Sequence, residues 1–329
     1  MKDFIEKLIL REDLTDDEMG CAFDSIMSGH VNDTLIGAFL IALRAKGERP
    51  SEIASAAKIM RDKSVKVSVE FDVLDTCGTG GDSASTFNIS TAVAFVLAGS
   101  GIKVAKHGNR SVSSSSGSAD CLEALGVPID LGPEEAAQAL RQNGFAFMFA
   151  PKYHPSMKYA MPARKQLGMK TVFNVLGPLT NPARAAYQVI GVYDRNLISP
   201  VAEVLRLLGS KGAMVVHSGL DEVSVSGTTE YARLSDGKIS RGQIQPEDAG
   251  ITRKSLDELR VSNPRESARL IEEIFDGSRK GACLESILLN AGTAFMALDS
   301  SIDIREGAEL AARVISSGDA MNALKGVRL

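Results

Sequence analysis

Val73-Leu74-Asp75-Thr76-Cys77-Gly78-Thr79-Gly80-Gly81-Asp82 runs from a short apolar segment into a cluster of glycines, and Asn88-Ile89-Ser90-Thr91 then opens a helical pattern that continues to Ala98. The order is strand, glycine-rich loop, helix. Such a loop aims backbone N–H groups and the positive end of the helix at one point, where an anion is favoured. The unit repeats: a strand at 102–105 leads into Lys106-His107-Gly108-Asn109-Arg110 and a serine-rich loop ending at Ser118, with a helix at 117–125. Residues 78–118 thus hold three stretches suited to phosphate, built from glycines, neutral hydroxyl and amide donors, and the charges of Lys106 and Arg110.

Outward from this stretch the alternation continues. Strands are expected near 73–76, 102–105, 145–149, 188–192 and 213–217, with helices at 90–98, 117–125, 133–142 and 198–208. Strands alternating with helices give a mainly parallel sheet. Upstream the pattern is helical throughout: Phe4, Leu8 and Ile9 recur at helical spacing, Thr15-Asp16-Asp17-Glu18 reads as a capped start, and Ile36, Phe39, Leu40 and Leu43 form an apolar stripe. Downstream, 283–297 and 305–315 are helical, the second closed by Gly318. The expected fold is α/β, with a small N-terminal all-α domain (1–70) and a larger α/β domain (71–329) around a mainly parallel central sheet. Gly177-Pro178 and Asn181-Pro182 break the rhythm, and about 165–185 is read as a segment returning to the helical domain.

The 329 residues suffice for about two domains, and 44% hydrophobic with 24% charged residues fits a globular enzyme. A net charge of −4 and a pI near 5.7 give no general attraction for nucleic acid or anionic membranes, so any anion site is local. Cys21, Cys77, Cys121 and Cys283 form no C-x-x-C pair, and Met1-Lys2-Asp3-Phe4 interleaves charge with apolar residues, so a soluble protein of the reducing cytoplasm is expected. The longest apolar run, near 92–98, falls well short of a membrane span.

The glycine loop is neither a Rossmann fingerprint, since Ser83 stands where glycine is needed, nor a P-loop, which ends in Gly-Lys-Ser/Thr. Either Asn88 or Ser90 alone could be a helix cap, yet Thr86, Asn88, Ser90 and Thr91 put four polar groups at one helix mouth, more than capping uses. The Lys106–Arg110 stretch follows its strand and so belongs at the carboxyl end of the sheet, where open α/β sheets bind ligands. Gly219-Leu220-Asp221-Glu222 follows the last strand and reaches the same edge. Adjacent carboxylates there suit a solvent-facing turn or, opposite a phosphate site, magnesium; Asp221 and Glu222 are the candidate ligands with the Ser90 hydroxyl. Arg164 is an ordinary surface charge or a guanidinium for a planar carboxylate. No pair among His30, His107, His154 and His217 has metal spacing, and no Ser/His/Asp or Cys/His arrangement is readable.

Together, GTGGD at 78–82, NIST at 88–91, KHGNRSVSS at 106–114, GSAD at 117–120, VFNVLGPLTNP at 172–182 and GLDE at 219–222 resemble the anthranilate phosphoribosyltransferase family of tryptophan biosynthesis. The likeness runs over most of the chain, in order. It implies a fold of the nucleoside phosphorylase/phosphoribosyltransferase class III type: a helical domain hinged to an α/β domain, the site between them and a homodimer built through the helical part. It further implies phosphoribosyl pyrophosphate as donor, anthranilate as acceptor and Mg²⁺, two per subunit, as cofactor. By the same resemblance Gly78, Gly81, Asp82, Thr86, Asn88, Ile89, Ser90, Thr91, Lys106, His107, Gly108, Asn109, Arg110, Ser111, Val112, Ser113, Ser114 and Ser118 would hold the donor; Gly78, Asn109 and Arg164 the anthranilate; and Ser90, Asp221 and Glu222 the metal. Ser115 departs from the pattern, standing where many relatives carry a basic residue. No dedicated acid or base is expected, because the aromatic amine is already neutral and the hard step is loss of pyrophosphate. A pyrimidine nucleoside phosphorylase shares the architecture, and a nucleic-acid-binding relative is a further alternative that the acidic pI disfavours.

Overall fold

The computed structural model describes residues 1–80, 85–111 and 116–328. Helices α1 (Lys2–Ile9), α2 (Asp16–Met27), α3 (Asp33–Lys46) and α4 (Pro50–Asp62) come first. Side chains set their ends. Thr15 Oγ1 accepts the Glu18 N–H at 3.2 Å while the Glu18 carboxylate accepts the Thr15 N–H at 3.0 Å, and Asn32 caps α3 through the Leu35 N–H at 3.0 Å. The chain continues through β1 (Leu74–Gly78), α5 (Ile89–Gly99), β2 (Val104–Gly108), α6 (Ser118–Ala124), α7 (Pro133–Asn143), β3 (Phe145–Phe149), α8 (Ala150–Tyr153), α9 (Met161–Leu167), α10 (Val172–Leu179), β4 (Tyr187–Gly191), α11 (Ile198–Leu207) and β5 (Gly212–His217). It ends with β6 (Thr229–Ser235), β7 (Lys238–Ile244), α12 (Pro264–Phe275), α13 (Ala282–Leu298), α14 (Ile304–Ser316) and α15 (Asp319–Gly326).

Among the described residues the strands form one seven-stranded sheet in the order β3-β2-β1-β4-β5-β6-β7. β1 to β5 are parallel, and β6 and β7 run antiparallel at one edge. Alternate residues serve the two faces. Leu74, Val104, Phe145, Phe147, Val189 and Met214 share a core with α5 and α13, whereas Ile190, Ala213 and Val215 join a core with α11 and the N-terminal bundle. That bundle core contains Phe23, Ile26, Phe39 and Leu43 and also takes in Ala163, Phe173 and Leu176 from α9 and α10, with the Phe23 and Phe173 rings 5.5 Å apart. The chain leaves β1 for β2 and β3 on one side and resumes with β4 on the other. β1 and β4 therefore flank a topological switch point, whose crevice opens at their carboxyl ends.

The mainly parallel sheet agrees with the expectation, but several elements differ, among them β2, the β6–β7 hairpin and the helices α8, α12 and α15. β2 extends through Gly108, so Lys106 and His107 are strand residues with buried side chains, not the start of a loop. The β6–β7 hairpin went unread although its turn, Asp236-Gly237, has the pair of positive φ values (50° and 72°) that asparagine, aspartate and glycine tolerate. α12 also went unread, despite Asn263 capping the Glu266 N–H at 3.0 Å and Pro264 in the first turn.

Candidate functional site

The loops after β1, β4 and β5 meet at the switch point. Thr79 N–H donates to the Gly191 carbonyl at 2.8 Å, and the Tyr193 N–H donates to Thr79 Oγ1 at 3.0 Å. Asp221, arriving from the β5 loop, accepts the Gly80 N–H at 2.8 Å. Gly78 and Gly191 make this approach possible. A Cβ on Gly78 would stand 2.8 Å from Asp221 Cγ, and one on Gly191 would stand 2.9 Å from Asp221 Cα and closer still to its carbonyl. The carboxylate-bearing loop is pinned from behind: Ser218 Oγ donates to the Glu222 carbonyl at 2.8 Å, and a His217 ring nitrogen bonds the Val192 carbonyl at 2.7 Å.

Beneath the glycine loop lies a buried polar layer. Lys106, 1% exposed, reaches the Thr76 carbonyl and Ser90 Oγ (3.2 Å), bracing the end of β1 against the start of α5. Burial lowers its pKa, against the opposing pull of Asp75 and Glu222. Asp75 accepts the His107 N–H at 3.1 Å and an Asn181 amide hydrogen at 2.8 Å, and burial pushes its pKa up to about 6 despite Lys106. A carboxylate inside the apolar run Val73–Cys77 was the signal that could have marked this layer.

The polar stretch 85–91 is held by a part of the chain the motifs did not touch. Phe87 N–H donates to the Leu259 carbonyl at 2.8 Å, Val261 N–H to Ser85 at 3.0 Å, and Thr86 bridges Arg260. Asn88 makes no side-chain cap. Its Oδ1 accepts Ser116 Oγ–H at 2.5 Å and Ser267 Oγ–H at 2.8 Å, while Nδ2 donates to the Ser116 carbonyl at 3.2 Å. Ile89 and Thr91 turn into the core, leaving only their backbone to face a ligand. Ser118 Oγ donates to the Asn109 carbonyl at 3.2 Å and lies where a Cβ on Gly108 would be, so the ends of the serine loop are drawn together. Arg110 is paired with Asp120 at 2.7 Å and Glu123 at 2.5 Å on α6. Gly81, Asp82, Val112, Ser113, Ser114 and Ser115 lie outside the described residues.

On the other face of β2, the His107 and His154 rings sit 5.0 Å apart, both 5% exposed. Each bonds a carbonyl near the end of α10, His107 that of Gly177 and His154 that of Thr180, and neither Nε2 has a partner among the described residues. Burial holds their pKa values down, at about 3 and about 4, so both are neutral acceptors. Arg164, on α9, stacks its guanidinium 5.1 Å from the Phe173 ring centroid; burial lowers its pKa, and no carboxylate pairs with it among the described residues. Sequence reasoning missed His154 and Ser267, neither of which stands in a recognisable motif.

Among the described residues no group of three or more His, Cys, Asp and Glu is arranged for a metal. Magnesium does not need one, because it takes one or two carboxylates and fills its shell with phosphate oxygens and water. No helix among them is long and apolar enough to cross a membrane.

Residues 2–64 match the helical bundle domain of a glycosyl transferase family, and residues 70–321 match its a/b domain. The anthranilate phosphoribosyltransferase of Persephonella marina is 49% identical over 100% of this chain and 98% of its own. The crystal structure of the Thermus thermophilus enzyme superposes with a TM-score of 0.93 at 39% identity, covering 98% of this chain and 97% of that one. The Saccharomyces cerevisiae enzyme superposes with a TM-score of 0.91 at 30% identity in complex with phosphoribosyl pyrophosphate and Mg (99% and 96% covered), and of 0.89 at 29% identity in complex with 4-fluoroanthranilate (99% and 96% covered).

Proposed function

The chain belongs to the anthranilate phosphoribosyltransferase family of tryptophan biosynthesis, and from that premise we propose that its cleft joins the 5-phosphoribosyl group of phosphoribosyl pyrophosphate to the amine of anthranilate. The products are N-(5-phosphoribosyl)anthranilate and pyrophosphate. The observation that carries this reading is the contact between the β1 glycine loop and Asp221 at the switch point, with the Ser90–Lys106 pair beneath it. Backbone donors, a buried ammonium and two carboxylates at one sheet edge suit a metal-bound polyphosphate.

Asp221, Glu222 and the Ser90 hydroxyl are hard oxygen donors and fit Mg²⁺, proposed at two ions per subunit. When bound, the metal neutralises charge on the departing pyrophosphate. The chain's own residues do the rest. The glycine loop, Asn88, Asn109 and the serine loop hold the donor with C1 of the ribose open to attack. Arg164 takes the anthranilate carboxylate, which orients the ring so that the nitrogen lone pair is aimed at C1. As the C1–N bond forms, the C1–O bond breaks, the electron pair leaves with pyrophosphate and the nitrogen passes one proton to solvent water. Exposed Ile9 and Leu10 at the end of α1 support a homodimer through the helical domain.

The test mixes purified protein with Mg²⁺, phosphoribosyl pyrophosphate and anthranilate and follows anthranilate fluorescence. Loss dependent on both the donor and the metal is expected. No loss at high protein concentration overturns the proposal.

A further inference from the structure

Ser267 lies near the start of α12, 179 residues from Asn88 in sequence and wholly buried. Its hydroxyl accepts the Asn88 N–H at 2.9 Å and the Cys121 S–H at 3.6 Å. With both acceptor positions filled it has only its proton left to give, and it gives that to Asn88 Oδ1 at 2.8 Å. Asn88 Oδ1 takes a second hydroxyl proton from Ser116 at 2.5 Å, so the amide cannot turn over without breaking two bonds. Oxygen and nitrogen of an amide are nearly the same shape, and only such partners decide which way it faces. Here they leave Nδ2 with one hydrogen on the Ser116 carbonyl at 3.2 Å and the other unbonded among the described residues, on a half-buried side chain at the mouth of α5.

We infer that Ser267 is a positioning residue for the phosphoribosyl donor, fixing the orientation of the Asn88 amide and, through Ser116, the end of the serine loop. The inference rests on the proposed reading of the cleft as the donor site. Ser267 itself does not reach the cleft, being 0% exposed, and it acts through Asn88. The backbone contacts of 85–87 with 259–261 bring the two residues together, so the C-terminal segment before α12 is part of the donor site's frame.

The test compares steady-state kinetics of wild type, Ser267→Ala, Ser267→Cys, Asn88→Ala and the double variant Asn88→Ala/Ser267→Ala, with donor binding to each measured by calorimetry. Loss of the hydroxyl strands the Asn88 N–H and frees its amide, and a KM for phosphoribosyl pyrophosphate raised about tenfold is expected, with the KM for anthranilate and kcat within about twofold. Cysteine, a weak donor of similar size, recovers part of the loss. In the Asn88→Ala background the serine substitution adds less than about twofold, because the two act as one unit. Ser286→Ala is the control: this hydroxyl is equally buried, on α13, but has no hydrogen-bond partner among the described residues, and both KM values stay put. A donor KM unchanged in Ser267→Ala, an equal rise in both KM values, or full additivity with Asn88→Ala each overturns the role of Ser267. A wild-type protein that neither binds the donor nor consumes anthranilate overturns the proposed reaction instead.

Discussion

Gly78→Ala probes whether the carboxylate loop and the glycine loop form one site. The new Cβ would stand 2.8 Å from Asp221 Cγ, and Oδ2 is nearer still. Ordinary contact requires the carboxylate to retreat by about 1 Å, and that breaks the 2.8 Å bond from the Gly80 N–H. A hydrogen bond to a charged group contributes about 1.5–3 kcal/mol, so the concentration of Mg²⁺ giving half-maximal rate is expected to rise about 10- to 100-fold. The lost bond costs up to about 1.5–3 kcal/mol of stability, offset in part because the exposed Gly80 N–H turns to water and alanine loses less backbone entropy than glycine on folding. Gly191→Ala is the harsher companion. There the Cβ meets Asp221 backbone, so the loop itself must shift, and a further loss of about 1–3 kcal/mol of stability is expected. Gly326, at the end of α15 with open space around it, is the control and tolerates alanine in both respects. Rates against Mg²⁺ at saturating substrates, with circular-dichroism melts of each variant, give the ranking. Wild-type magnesium dependence in Gly78→Ala would refute the placement of Asp221 in the metal site.

Arg164→Ala is expected to raise the KM for anthranilate at least about tenfold with kcat within about threefold, and lysine does not restore it because a point charge lacks the planar fork; an unchanged KM with a collapsed kcat would sink the assignment. The folded-state pKa values of His107 and His154 lie at about 3 and about 4, below the ordinary 6.5, so acid favours the unfolded chain: stability falls as pH drops below 6.5, while Asp75, raised to about 6, works in the opposite direction below that value. Net loss is about one proton, roughly 1.4 kcal/mol per pH unit between pH 6 and 4, and urea midpoints that do not fall over that range contradict the buried neutral pair. In the helical domain, Glu52 is buried and accepts the Leu14 and Arg49 N–H groups at 2.9 and 2.8 Å and the Lys46 ammonium at 2.8 Å; Glu52→Ala strands both N–H groups and leaves Lys46 with Asp13 (2.6 Å) as its remaining carboxylate, and is expected to cost about 2–4 kcal/mol in urea unfolding, against under about 1 kcal/mol if the network is dispensable.

Much of the fold was legible because its requirements are local. Thr15 and Glu18 cap one helix between themselves, and the parallel strands declare themselves by short apolar runs, three of which (β1, β2 and β4) end in glycine. The parallel sheet then explains why motifs far apart converge, since every loop that follows a strand leaves by the same edge. Lys106 and His107 misled for a physical reason. Charge and an imidazole after an apolar run read as a loop, but the partners that let them be buried, Thr76 and Ser90 for one and Gly177 for the other, lie 16 to 70 residues away. Ser267 is harder still, since nothing in a lone serine on a helix announces that its proton decides how an asparagine 179 residues away will face.

The glycine loop itself carries two meanings that sequence alone does not separate. Glycines beside a strand end suit a phosphate because they bare the backbone, and they equally suit any neighbour that must come close. Gly80 belongs to the first kind, with a φ of 67° and nothing within 4 Å of its missing Cβ. Gly78 and Gly191 belong to the second, because what fills the space of their absent side chains is Asp221. The GTGGD and GLDE motifs are therefore one structural requirement written twice, 141 residues apart: the aspartate needs the glycines in order to sit there, and the loop needs the aspartate to hold its Gly80 N–H in place. It follows that substitutions at the two motifs should not act independently. Pairing Gly78→Ala with Asp221→Ala removes the side chain that the new methyl would strike, so the double variant should have the magnesium dependence of Asp221→Ala alone, whereas separate phosphate and metal devices would give multiplied effects.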